Sequence, residues 1–421
     1  MSTPEVQVPP PPAEAKRTAK VVSCPACGAS LTLRALGQSV MACCESCRTQ
    51  LDVSRPDIQI IGKYDAQFAE LRIPLGARGT LRDQMFEVIG AMQRNVDGYS
   101  WHEYLLFNPY IGFRWLVYDD GRWNFGTMLR ETPTINDRGE LEYQGRTYTK
   151  AESESGNPVV DWVLGEFYWR VAVGDTVKSS DYVSPPFKIS LERAKDEITW
   201  TQLEHIDAAE IDEAFGSETT ATPDSVGLNE PNPYEDTLRV AWRIALVALA
   251  LAVIVQVVTV ILASPRDLDL GTYNFDKNQG AEQVYGPFTF TRSFSLDELT
   301  ATAGVRNNWV ELNCSLVNTV TGETHQFTNA FSYYYGTDSD GNWDEGGNND
   351  TSLLTKIPAG TYNLIVEGAT GDINVGPVNL RMTHDVVPWR NFWLVALLIL
   401  AYPAWLLFQV QRFERQRWAE N

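Results

Sequence analysis

The chain has 421 residues, too many for one hydrophobic core, so two or three compact units are expected. Its formal charge of −20 leaves no excess of Lys and Arg to neutralise a phosphate backbone, which argues against nucleic acid as a partner. Aromatic residues make up 11% of the sequence, with 13 Trp, a composition suited to pleated surfaces, and the expected fold class is mainly β.

Residues 1–20 are Pro-rich, include the run Pro9 to Pro12, and hold almost nothing that burial could stabilise, so they are read as a disordered tail. They contain no apolar h-region and no small-residue cleavage site, so this end is expected to stay in the cytoplasm.

Five of the six cysteines fall between Cys24 and Cys47. Clustering of this kind points to a metal rather than to a disulfide framework. Cys24-Pro-Ala-Cys27 and Cys44-Glu-Ser-Cys47 are separated by sixteen residues. Each Cys-x-x-Cys turn aims two thiolates at one point, and two such turns supply the four soft ligands of a closed, tetrahedral Zn²⁺ site. Cys24, Cys27, Cys44 and Cys47 are therefore the expected ligands of a structural zinc in a ribbon at residues 21–54. Cys43 does not keep the two-residue spacing to Cys47 and is read as a spare thiol.

Residues 55–215 form a series of short aromatic and β-branched runs, including SWHEYLLF, GFRWLVYDDGRWNF and FYWRVAV, expected as antiparallel meanders of one β-rich domain. Asp120-Gly121 and Gln144-Gly145 supply hairpin turns, because glycine takes φ > 0 without cost. The segment SLERAKDEITW fits either a short helix or a connection that ends in a strand. His102, His205, His325 and His384 stand in no metal-spacing motif, nucleophile elbow or phosphate loop, so no catalytic residue is assigned. Asp161 and Glu166 are not assigned as paired catalytic carboxylates, because nothing fixes their separation and strand acids are usually solvated.

Residues 216–236 are polar, contain three prolines and read as a linker. Ile244 to Ala263 follows as 20 residues without a charge, which at ~1.5 Å per residue spans a hydrocarbon core of ~30 Å. Gln256 in this stretch is expected to bond a partner helix. A second span is expected at residues 392–410, with Pro403 kinking it and Trp389, Trp393 and Trp418 near its ends. Five basic residues on the proposed inner side (Arg239, Arg243, Arg412, Arg415, Arg417) against four outside (Arg266, Lys277, Arg381, Arg390) do little to orient it. The thiol cluster orients it instead: zinc-holding cysteines persist in a reducing compartment, which places both termini, including the tail 411–421, in the cytoplasm of a two-span inner (plasma) membrane protein.

Residues 264–391, between the spans, alternate in hydrophobicity with Gly-, Asn- and Asp-rich turns and are expected as an extracytoplasmic β-sandwich. The run DSDGNWDEGGNND offers oxygen ligands but not the register of an EF-hand, so Asp338 to Asp350 is read as a solvated hairpin tip rather than a calcium site, with Trp343 and the acids at the rim.

The motifs CPxCG, LGARGTL, FEVIG, WHEYLLFNPYIGFRWL, DGRW, LGEFYW, SPPFKISLE and ITWTQLEHIDAAEIDEAF together resemble the domain-of-unknown-function family numbered 4178, over residues 22–215. The sequence departs from that pattern in CCESC, where a single cysteine is expected. The resemblance implies a membrane-linked bacterial protein, often encoded beside membrane and envelope-stress proteins, without a defined reaction.

The expected function is a noncatalytic membrane scaffold or signal-transmitting adaptor, with the outer domain meeting an envelope component and the cytoplasmic β domain recruiting a protein partner. The alternatives are an enzyme or small-molecule-binding domain around Trp101, Glu103, Trp115 and Trp169, or a zinc-thiolate redox sensor centred on Cys43. The lipid bilayer and membrane proteins are the expected partners, and homo-oligomerisation is left open.

Overall fold

The computed structural model describes residues 19–64, 70–151, 157–195, 197–217, 225–275, 281–293, 295–372 and 375–419. Most of the predicted disordered tail 1–20, and residues 218–224 of the predicted linker, lie outside the described residues. The chain divides into two compact units, one formed by residues 1–236 with 407–421, the other by residues 237–406.

The first unit is built on a 15-stranded sheet in which every pairing is antiparallel. Its central path runs through Phe187–Arg193, Ile198–Ile206, Arg122–Met128, Gly112–Asp119, Tyr99–Asn108, Gln84–Val96 and Val159–Phe167. Asp120 and Gly121 take φ of 42° and 82°, and Gln144 and Gly145 take 49° and 74°, so both predicted turns close hairpins. The ambiguous segment SLERAKDEITW resolves into the end of one strand, at Arg193, and the start of the next, at Ile198. The sheet curls strongly: Arg94 on Gln84–Val96 reaches Glu192 on Phe187–Arg193, at 2.7 Å, across four intervening strands.

The sheet buries apolar side chains in two clusters. One cluster gathers Phe86, Tyr104, Trp123 and Trp162 with Ile211 of the helix α1 (Ala208–Phe215), and the other gathers Met41, Met92, Trp115 and Phe167. Gly90 and Gly165 face each other across the central pair, and a Cβ on either would lie 2.4 or 2.3 Å from a carbonyl oxygen of the other strand. Two glycines therefore let these strands approach at the point where the sheet continues into the cysteine-bearing segment.

Part of that segment, predicted as a ribbon at residues 21–54, continues the large sheet, while Lys20–Ser23 and Ser30–Leu33 pair with each other in a two-stranded sheet of their own. Met41–Cys43 pairs with Val159–Phe167, and Thr49–Asp52 and Gln59–Lys63 extend the same sheet outward. The alternation that marks a strand says nothing of its neighbour, which is why the merger is invisible in the sequence.

The second unit holds two sheets. Arg266–Tyr273, Val378–His384, Ser295–Thr302 and Asn349–Ile357 form one, in that order, and Gln283–Phe290, Gly360–Thr370, Asn308–Asn318, Thr324–Asp338 and Gly341–Gly346 form the other. Both contribute to one core that includes Tyr273, Leu299, Leu312, Leu364 and Met382, and Cys314 is buried within it. The strict alternation along Asn308–Asn318 is the period of two expected when one face packs and the other meets water.

Two further helices complete the chain: α2 (Glu235–Leu262) and α3 (Trp389–Ala419). Both are long and apolar enough to cross a membrane, with mean hydropathies of 3.0 and 2.0 in their most apolar stretches, only 11% and 17% of which are buried. α3 runs beyond the predicted apolar stretch at both ends, and α2 does so at its N-terminal end only. Pro403 lies inside α3. Gln256 is buried, but its Nε2 has no hydrogen-bond partner among the described residues, contrary to the expected bond to a partner helix.

Candidate metal centre

The two Cys-x-x-Cys knuckles fold alike. In the first, the amide of Cys24 bonds the carbonyl of Ala29 and the amide of Gly28 bonds the carbonyl of Cys24. In the second, Cys44 bonds Thr49 and Arg48 bonds Cys44 in the same way. The fifth residue of each, Gly28 and Arg48, takes φ of 77° and 60°, which turns the chain back and points both sulfurs of the knuckle the same way. The second knuckle is the tip of the hairpin formed by Met41–Cys43 and Thr49–Asp52, so the large sheet fixes two of the four thiols.

The sulfurs of Cys24, Cys27, Cys44 and Cys47, the four predicted ligands, all lie within 4.8 Å of one another. Cys24 and Cys47 are 3.7 Å apart and Cys27 and Cys44 are 3.8 Å apart. A tetrahedron with metal–sulfur bonds of ~2.3 Å has sulfur–sulfur edges of ~3.8 Å, so the four thiols fit a single ion, whereas a disulfide needs ~2.05 Å. The Thr49 hydroxyl, 3.1 Å from Cys47 Sγ, lowers that thiol to about 6, whereas burial raises Cys44 and the neighbouring thiols help raise Cys27 to about 12, so the four do not share one protonation state in the metal-free cluster. Four sulfur ligands would close the coordination sphere, which suits a structural ion and leaves no position for a reacting water.

Cys43 is not part of the cluster. It is buried, and burial pushes its thiol up to about 12, so it is protonated and a poor nucleophile at neutral pH.

The other residues weighed in the sequence are placed as follows. Glu166 is 2% exposed, so the expectation that it is solvated fails. It accepts the backbone N–H groups of Arg34 and Ala35 and the hydroxyl of Ser39. Asp161 instead accepts from Gln93. Trp115 and Trp169 stack edge to face at 5.6 Å on an apolar core. Trp101 donates to Glu103, and Glu103 pairs with Arg94 at 3.3 Å, within an ionic network rather than beside the tryptophan pair. His102 and His205 are both held low by burial. Asp338 to Asp350 spans a hairpin and the start of the next strand, and among the described residues no cluster but the four cysteines gathers enough His, Cys, Asp or Glu for a metal.

Two constellations had no sequence signal. Arg417, near the end of α3, is 1% exposed and donates to the carbonyls of Gly227 (3.1 Å), Leu228 (2.6 Å) and Glu230 (2.7 Å), while its Nε donates to Glu414. The segment it grips is itself anchored: Asn229 donates to Asn124 and to the carbonyl of Pro186, and Arg122 donates to Glu230. In the second unit, Asp297 is fully buried, 2.6 Å from His384 Nδ1, and also accepts from the Ser295 hydroxyl and the amide of Asp385. Ser295 faces the same ring nitrogen, and the opposite nitrogen, Nε2, has no partner, so this is a structural pair and not a nucleophile relay.

Residues 74–208 match the family DUF4178, a domain of unknown function. The match covers the central strands and stops short of the four cysteines on one side and of α2 on the other. No curated protein matches the chain. Among solved structures, that of infectious bursal disease virus Gt strain aligns at 10% identity over 73% of this chain and 75% of that one, with a TM-score of 0.20, too low to indicate a shared fold.

Proposed function

We propose that this chain, whose residues 74–208 form a DUF4178 domain, is a noncatalytic membrane scaffold or signal-transmitting adaptor. In this reading α2 and α3 cross the plasma membrane, both termini lie in the cytoplasm, the four cysteines hold a structural Zn²⁺, and residues 264–391 form a β-sandwich that meets an envelope component. The DUF4178 domain recruits a protein partner on the cytoplasmic side, with envelope stress as the context.

The observation that carries the reading is the grip of Arg417. A buried guanidinium that donates to three backbone carbonyls holds the end of α3 in one orientation, because those bonds are charge-assisted and their geometry is planar and fixed. A shift or rotation of that helix would therefore act directly on residues 225–232, which are bonded to the strands of the DUF4178 domain. A helix shift of this kind is one way in which a signal can pass from one element to another.

Two measurements test it. In spheroplasts, a membrane-impermeant maleimide should label Val320→Cys, a site 87% exposed, and spare Ala419→Cys until lysis. The opposite pattern, or release of the protein by alkaline carbonate, ends the topology. Full-length protein purified from detergent should bring down a specific partner in an amount that Arg417→Ala reduces, and the absence of any such partner argues against the adaptor.

A further inference from the structure

The outer face of the five-stranded sheet carries a diagonal of exposed aromatic rings. Trp309, Tyr334 and Trp343 are 38%, 38% and 44% exposed. Trp309 stands opposite Ser332, Tyr334 lies two residues further along the same strand, and Trp343 stands opposite Gly336, two residues further again. Val310 and Leu312 alternate inward, which puts Trp309 on the solvent face, and the pairing register puts the other two rings on that face with it. Each step moves one strand across (~4.8 Å) and two residues along (~6.8 Å), so successive rings are set roughly 8 Å apart.

The two tryptophans sit on glycine. A Cβ at Gly336 would lie 2.8 Å from the ring of Trp343, and one at Gly371 would lie 2.8 Å from Nε1 of Trp309. The rings thus lie close over bare backbone rather than waving in solvent, and little side-chain freedom is left to lose on binding. Carboxylates interleave with them: Glu345 stands opposite Tyr334, Glu311 lies two residues from Trp309, and Asp338 lies two residues beyond Gly336 on the same face. From residue 307 to residue 355 the sequence holds seven Asp and Glu and not one Lys or Arg. Arg306 and Lys356 bound this run on either side.

The geometry points to a binding site for an extended, Lys- or Arg-bearing peptide segment of an envelope partner. Charge complementarity selects the occupant. Ring faces attract ammonium and guanidinium groups, and the carboxylates reinforce that attraction. The same-face side chains of an extended peptide recur every ~6.8 Å, shorter than the step of roughly 8 Å between rings by a margin that long, flexible Lys and Arg side chains can span. The line ends on Gly341–Gly346, an edge strand exposed along its whole length, which leaves room for the peptide backbone beside it. This site specifies the outer contact of the proposed adaptor and depends on that reading only for the compartment in which the peptide is met.

The test uses the full-length protein in detergent, so it does not depend on membrane topology, which the maleimide labelling tests separately. The probe is a fluorescent peptide of alternating Lys and Thr, with the same peptide carrying Gln in place of Lys as the control. The Lys peptide should bind at least about tenfold more tightly than the control and weaken as NaCl rises. Trp343→Ala and Tyr334→Ala should each weaken it by about five- to tenfold, and the shape-conserving Glu345→Gln should weaken it while flattening the salt dependence. Circular dichroism of each variant separates lost binding from lost fold, and Glu345→Gln carries the test if an aromatic variant unfolds. Equal affinity for the Lys and Gln peptides, indifference to Trp343→Ala in a folded variant, or binding of a neutral chitin oligomer at this face without binding of the Lys peptide overturns the proposal.

Discussion

The carboxylate of Glu166 accepts the backbone N–H of Arg34 at 2.6 Å, joining the loop that follows the first cysteine knuckle to the central strand Val159–Phe167. The same carboxylate takes the amide of Ala35 and the hydroxyl of Ser39. Replacing it with alanine leaves two backbone donors without their acceptor, at about 1–3 kcal/mol each when they stay dry. Hydrogen exchange at Arg34 and Ala35 is expected to quicken in Glu166→Ala, and unchanged protection at both amides counts against the joint.

Burial holds the Glu166 carboxyl above its ordinary 4.5, although the Arg34, Ser39 and Ala35 donors pull it back. A carboxyl raised in the folded state contributes stability in full below its unfolded value and loses that contribution as pH rises through the folded value. Relative to Glu166→Gln, the wild-type protein should therefore lose stability as pH rises above the ordinary 4.5 and through the raised folded value. Unfolding curves of both proteins across that range check the sign, and a wild-type advantage that grows with pH contradicts it.

The metal centre gives a direct prediction. Purified protein should contain one metal ion per chain, zinc on the proposed reading, and Cys24→Ser or Cys44→Ser should abolish it, because each removes one of four ligands. Elemental analysis gives the stoichiometry. Cys43→Ser should retain the ion, and its loss in that variant would reassign the ligands.

Asp297 and His384 form a buried pair in the second unit. Removing one member strands the other, so Asp297→Leu is expected to destabilise that unit by about 3–5 kcal/mol, whereas the double variant Asp297→Leu, His384→Leu should be markedly less damaged. Thermal unfolding of the three proteins in one detergent measures the coupling. Equal damage in the single and double variants removes the pair as its source.

Arg417→Lys keeps the charge but offers one nitrogen where a planar fork now meets three carbonyls. Exchange at residues 227–232 should rise by about tenfold or more, consistent with losing about 2 kcal/mol of charge-assisted bonding. A lysine variant with native protection would show that charge alone holds the joint.

What the sequence revealed was local. Two Cys-x-x-Cys turns, the Asp-Gly and Gln-Gly hairpins and two uncharged apolar stretches are each specified within a few residues, and the structure places each of them where the pattern indicated. What it concealed was long-range. Nothing about an arginine in a polar tail forecasts that it will be buried against residues 190 positions away, and nothing in LGEFYW says that its glutamate faces two amides of a distant loop. Burial of a charge depends on partners supplied by other elements, and a single sequence contains no record of which elements meet.

On the proposed reading, the shared sheet would link ion supply to the fate of the polypeptide. Until the four thiols are gathered, the hairpin that carries the second knuckle is held only by its own packing, and loss of Met41–Cys43 would leave Gly165 to Phe167 with their N–H and C=O groups bare on that side. Newly made chains starved of the ion would then be sticky, prone to pair with each other and open to proteases, so cellular metal status would set how much of this protein accumulates, whatever its transcript level.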